Sequence, residues 1–122
     1  MTLEQIETFT AAYITAMLWA ETNDDGDPID KNHTPEDINE DSQLRINADC
    51  ASFCYANAHW IGDAIEQAGH DFWLTRNGHG AGFWDREAGV YPHDYSGEAM
   101  TKAANAFGQL YCQEIEEKVY IS

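Results

Sequence analysis

Apolar residues recur at helical spacing from the first residues of the chain. Leu3, Ile6, Phe9, Tyr13 and Met17, widened by Ile14 and Leu18, predict a helix over residues 2–21, and Trp19 lies beside that stripe. Thr2 and Gln5 form a capping-box pair at its start. The pattern then breaks into NDDGDPIDKNHTP, whose Asp-Gly and Asp-Pro dipeptides predict a loop. Thr34 caps a new start, with Pro35 at the first helical position and Glu36 and Asp37 in the first turn. After a short turn, a long helix is predicted from Asp41 or Ser42 to Ala68. Leu44, Ala48, Ala51, Tyr55, Ala58, Ile61, Ile65 and Ala68 mark its apolar face, and Gly69 is its stop.

The next stretch, GHDFWLTRNGHGAGFWDR (residues 69–86), combines two tryptophans, two phenylalanines and four glycines. Asn77-Gly78 is a strong two-residue hairpin signal, because a type I′ turn needs positive φ at both central positions. That turn would pair Trp73 with Gly82 and Phe72 with Phe83, the glycine leaving room for the indole; a four-residue loop ending at Gly80 would shift the register. Residues 87–95 are irregular. Ser96 caps a helix over 97–107 that Gly108 ends. Alternation through Leu110, Cys112 and Glu114, a turn near Glu116-Glu117 and a return through Val119 and Ile121 predict a second hairpin. The expectation is an α+β fold in the order ααββαββ: two long helices and a third packed on a small antiparallel sheet of two hairpins. The length of 122 residues suits a single domain, 1–122.

The run GHDFWLTRNGHGAGFWDR resembles a block in small acidic proteins encoded by bacteriophages and related mobile elements. The resemblance extends more loosely to the DDGDP segment and the C-terminal hairpin. There the similar proteins often carry a glycine at the tip, and this chain has Glu116-Glu117-Lys118. That family has no assigned activity, so the resemblance implies an origin and no catalytic residues.

Charge changes the picture most. Twenty-two acids against six bases give a net charge of −16 with histidines neutral. Contacts to phosphates need lysine and arginine, so nucleic acid is a poor direct ligand. The same charge suits a partner with a basic, nucleic-acid-binding surface. Glu21, Asp24, Asp25, Asp27, Asp30, Glu36, Asp37, Glu40 and Asp41 fall within 21 residues that hold one base, Lys31. Asp63 and Glu66 lie further along. Double-stranded DNA carries one charge per about 1.7 Å of axis, and a helix rises about 1.5 Å per residue, so acids at helix ends and in their connecting loop could form a comparable row. The N-terminus lacks a basic region followed by an apolar one, no apolar run reaches the length of a membrane span, and three cysteines without a CxxC pair suit free thiols. The expected setting is the host cytoplasm.

Chemistry is sparser. Aligning Gly26 with the sixth position of an EF-hand loop puts Asn32 where a bidentate carboxylate is required, so that reading fails, and neither a metal nor a cofactor is expected. Cys50 and Cys54 stand one helical turn apart, without a third ligand at a metal-binding spacing. In the hairpin reading, His70 and Asp85 face each other at the open end, while Arg76, Asn77 and His79 gather at the tip as an anion site. No nucleophile elbow, phosphate loop or HExxH motif accompanies them. The principal expectation is an interaction protein, a phage-derived inhibitor of a host restriction or CRISPR enzyme acting by nucleic-acid mimicry. The alternative is a small enzyme or ligand-binding domain using the hairpin's His, Asp and Arg groups. A third reading makes the hairpin simply the folding core of an accessory protein.

Overall fold

The N-terminal stripe forms helix α1, Leu3–Ala20, in the computed structural model, which describes residues 1–122. Its capping box is complete: the Gln5 amide donates to Thr2 Oγ1 at 3.1 Å, and the Thr2 amide donates to Gln5 Oε1 at 2.8 Å. Two 3₁₀ turns follow, Ile29–Lys31 and Pro35–Asp37. Helix α2, Glu40–Ile61, starts from Asn39, whose side chain accepts from the Ser42 amide.

Two features of α2 depart from the sequence expectation. The helix stops at Gly62, which sits at φ +56° and donates to Ala58 O, rather than running on to Ala68. Its buried face is also a different one except at Ile61, which both share. Ser42, Ile46, Cys50, Phe53, Cys54 and Ile61 point inward, while Leu44 and Tyr55 stay 60% and 69% exposed. Burial free energy scales with apolar area, and a face built on Ile46, Phe53 and Ile61 offers more than one built largely on alanines.

Residues 65–86 depart further. Instead of a hairpin they form helix α3, Ile65–Arg76, then a glycine-rich turn and a third 3₁₀ turn, Phe83–Asp85. Asn77-Gly78 ends the helix rather than turning a hairpin. Gly78, at φ +66°, donates to Thr75 O, and the His79 amide donates to Leu74 O, the paired bonds of a Schellman motif. A positive-φ glycine after asparagine serves either structure, and the helix wins because residues 68–76 are buried almost all round. Gly82 is indeed required, though not by Trp73: a Cβ there would lie 2.1 Å from Thr75 Oγ1, the atom that accepts from the Phe83 amide.

Helix α4, Gly97–Asn105, is capped by Ser96, and the chain turns away at Gly108, φ +81°. Strands β1, Cys112–Ile115, and β2, Lys118–Ile121, form the expected C-terminal hairpin, with Glu116 at φ +57° in its turn. The fold is therefore α+β, with four helices and one two-stranded antiparallel sheet in place of the ααββαββ order. Backbone bonding of Asn39 to Val119 and the Ser42 hydroxyl on the Ile121 amide hold the hairpin to the start of α2.

One apolar cluster draws on all four helices and on β2. At its centre the Phe53 ring stacks on Phe72 at 4.2 Å and on Phe83 at 5.6 Å, with Phe9 and Phe107 closing around it. Gly69 makes the α1–α3 crossing possible, since a Cβ at that position would lie 2.2 Å from Phe9 O. Alanine raises intrinsic helix stability by about 1 kcal/mol over glycine. A clash with backbone forces the two helices apart and costs more than that gain. Gly69→Ala is expected to destabilise by about 2 kcal/mol net, read by urea denaturation; an unchanged or raised midpoint would mean that α1 and α3 are not in contact there.

Candidate functional site

Helix α3 carries two buried charges, five residues apart, and they reach in different directions. Arg76 is 1% exposed. Its Nε donates to Gly108 O at 2.8 Å and Nη2 to Phe107 O at 2.9 Å, while Nη1 donates to Tyr13 Oη at 3.1 Å and to Asp49 Oδ2 at 2.9 Å. The guanidinium also lies 5.2 Å from the Phe72 ring centroid and 5.7 Å from that of Phe107. Asp71, fully buried, accepts from Arg86 through both oxygens, from Tyr91 Oη at 2.6 Å and from Gln67 Nε2 at 3.0 Å. Hydrogen bonding to Asp71 holds the Arg86 pKa up. Burial, then the Asp71 charge, push the Tyr91 phenol far above its ordinary range, so that it donates and does not ionise.

These networks correct the hairpin-based site. Arg76 is an internal tie and not a tip residue. Asn77 donates to Trp73 O and accepts from the Leu110 amide. His79 Nε2 meets Glu21 Oε2, which also accepts from Trp73 Nε1 at 2.9 Å. His70 and Asp85 do not face each other: His70 lies on α3 near Trp19, and Asp85 accepts from the Gly82 amide at 3.0 Å. The expected anion site and His–Asp pair are thus dispersed. Every buried side-chain nitrogen and oxygen has a hydrogen-bond partner. Cys50 and Cys54 are buried, and burial pushes the Cys54 thiol up to about 12 and Cys50 higher still, the reverse of a nucleophile's shift.

The acidic segment divides into two groups. Glu21 is a strut between α1 and the turn after α3. Asp27 pairs with Lys31 at 3.3 Å. Asp37 accepts from His33 Nδ1 at 2.9 Å, and Glu114 accepts from His33 Nε2 at 2.7 Å. Asp24, Asp25, Asp30, Glu36, Glu40 and Asp41 remain exposed, as do Asp63 and Glu66. Asn23 shapes the loop by accepting from the Asp25 and Asp27 amides at 2.9 and 3.0 Å. No three His, Cys, Asp or Glu side chains come together in a way that would hold a metal ion. No helix is long and apolar enough to cross a membrane.

Sequence reasoning missed Asp49, Asp71, Arg86 and Tyr91 as the partners that fix the interior. A helical reading of 65–76 would have exposed one signal, because Arg76 then falls one turn after Phe72 on the stripe Ile65, Ala68, Gly69, Phe72. No family model matches the chain, and neither a curated protein nor a solved structure matches it.

Two measurements test these networks. Arg76→Lys keeps the charge but replaces a planar fork by a point donor that cannot serve four separated acceptors. It is expected to cost about 3 kcal/mol or more in denaturant unfolding, with Arg76→Met at least as severe; a loss under about 1 kcal/mol would show the guanidinium to be dispensable.

The second concerns His33. Burial pulls its pKa down, but hydrogen bonds to Asp37 and Glu114 outweigh that and raise it above 6.5. The His33 bond, aided by the Thr34 amide, holds Asp37 below 3.8. The histidine's contribution is complete below 6.5 and lost as pH rises through its folded pKa. The aspartate's contribution is present above 3.8 and lost as pH falls through its depressed one. The stability difference between the natural protein and His33→Gln, measured by urea titration at each pH, should therefore peak around pH 5 and shrink at alkaline pH. A difference independent of pH would show that His33 is neutral in this clamp.

Proposed function

We propose that this chain is an interaction protein of phage origin that displays carboxylates to a basic, nucleic-acid-binding surface of a host defence enzyme and so competes with nucleic acid. The observation that carries the reading is the net charge of −16 together with its distribution. Asp24, Asp25, Asp30, Glu36, Glu40 and Asp41 are exposed along two helix ends and the segment between them. That segment is fixed rather than loose: His33 ties it to β1, Glu21 ties its start to α3, and a Thr22–Pro28 bridge closes the loop. Carboxylates held in place before binding cost less ordering entropy when they meet a row of lysines and arginines. The resemblance to phage proteins points the same way. The alternative of a small enzyme built on His70, Arg76, Asn77, His79 and Asp85 loses its geometric basis, because those side chains are committed elsewhere or apart.

The test uses acids that make no internal contact. Reversing Asp24, Asp25, Asp30 and Glu36 together to lysine should weaken binding to a partner captured from host lysate by about a hundredfold or more, by analogy with charge-pair losses at other interfaces. The melting temperature should stay the same or rise, since self-repulsion falls. The natural complex should dissociate steeply with added salt, and the captured partner should lose nucleic-acid binding in proportion to occupancy. A partner that binds the reversed variant equally well, or keeps its nucleic acid while bound, would overturn the proposal.

A further inference from the structure

The apolar stripe that the sequence marks on α2 is largely the face that the fold leaves uncovered. Leu44, Asn47, Ala51 and Tyr55 follow one another at intervals of three and four residues, so they share one side of that helix. Asn47 and Ala51 form one wall of a groove of about 450 Å³. Its other wall is α1, where Leu3, Glu7, Thr10 and Ile14 repeat the same spacing. Leu3 is 72% exposed at the groove's edge. The groove's apolar lining is Leu3, Ile6, Ala11 and Ile14 on α1 and Ala51 on α2. Two neighbouring helices lining a groove at this spacing offer the seam into which a third helix packs, and the α1 wall from Leu3 to Ile14 runs about 16 Å, three turns of such a helix.

Charge selects the occupant. Glu7 lines the groove, Glu4 is exposed one turn earlier on α1, and Glu40 stands one turn before Leu44 on α2. No lysine or arginine is among the lining residues. A second copy of the chain would bring another −16 against this rim. We infer that the groove between α1 and α2 receives an amphipathic helix of a partner protein, one with an apolar stripe flanked by lysines or arginines. This goes beyond the carboxylate reading above, since it is an apolar contact outside the acidic loop and stands whether or not that loop competes with nucleic acid.

The probe is a labelled synthetic peptide of about 18 residues, leucines at heptad spacing and lysines on the flanks, compared with a scrambled peptide of the same composition. By fluorescence anisotropy at physiological salt, the ordered peptide should bind about tenfold or more tightly than the scrambled one, and circular dichroism should show it gaining helix. Leu3→Lys, at an exposed position where the fold tolerates change, should erase that preference without moving the melting temperature. Ala51→Trp, which fills the groove, should erase the preference too, in samples that circular dichroism shows to be folded. The variant with Asp24, Asp25, Asp30 and Glu36 reversed should bind both peptides less well but keep the preference, which separates failure of this inference from failure of the carboxylate reading. Equal binding of the two peptides would reduce the contact to net charge and overturn the proposal. So would an unchanged preference in Leu3→Lys and Ala51→Trp. Sedimentation showing a dimer that Leu3→Lys dissociates would assign the groove to a second copy instead, and also overturn it.

Discussion

The Arg76 guanidinium is the contact on which the rest of the structure depends. It joins Tyr13 of α1, Asp49 of α2 and the carbonyls of Phe107 and Gly108 at the end of α4, all from a position at the last turn of α3. Moving such an ion out of water costs several kcal/mol, and an ion pair with Asp49 alone would not recover that. Recovery depends on geometry: a planar fork meets four fixed acceptors while its faces lie against Phe72 and Phe107. The carbonyls of Phe107 and Gly108 lie just past the end of α4, in irregular backbone whose polar groups otherwise need water. One side chain thus anchors the chain where it leaves α4, pairs with Asp49 and ties α3 to α1 through Tyr13. Specificity follows from the same fact, because any other arrangement of these helices strands a buried charge.

Asp71 does the complementary work on another side of α3. It gathers Arg86 and Tyr91, holding the irregular segment after the third 3₁₀ turn against the helix. Tyr91 in turn stacks on Tyr95 at 4.3 Å, and Tyr95 donates to Phe83 O at 2.7 Å. A segment without regular hydrogen bonding is thereby tied at three points. The chain has six bases, and Arg76 and Arg86 serve these internal ties. That leaves few positive groups at the surface to neutralise its acids, so the internal architecture itself sharpens the outward negative field.

Legibility in the sequence followed contrast between faces. Helix α1, the 3₁₀ turn at Pro35, the start of α2, helix α4 and the C-terminal hairpin each have one buried and one wet side or a distinctive cap, and each lies where periodicity and capping residues put it. Helix α3 has no such contrast. Ala68 to Arg76 is buried apart from His70, and a segment buried all round shows no 3.6-residue alternation to read. With periodicity silent, Asn77-Gly78 decided the expectation, and that dipeptide closes a helix as readily as it turns a hairpin. The site follows the fold: the hairpin pairing that would bring His70 to Asp85 and gather Arg76, Asn77 and His79 at a tip does not form. The acidic segment was legible as a cluster because charge is a property of composition. Its division into internal struts, such as Glu21 and Asp37, and free carboxylates was not, since the partners Trp73, His79 and His33 come from other parts of the chain or from tertiary docking.

The α2 stripe shows a different limit, and it bears on function. Period alone cannot choose between two apolar faces on one helix. Ile46, Phe53 and Ile61 outweigh Leu44, Ala51 and Tyr55 in area, so the core takes the first set. What is left over does not become polar as a consequence. An exposed leucine or tyrosine taken singly needs no explanation. Leu44 and Tyr55 on the same side of α2 as Ala51, beside a groove that Leu3 edges on α1 and acids border, make a surface with both a shape and a sign. Shape favours a helix as the occupant, and sign favours a basic one, so two independent physical terms restrict what can bind where neither would suffice alone.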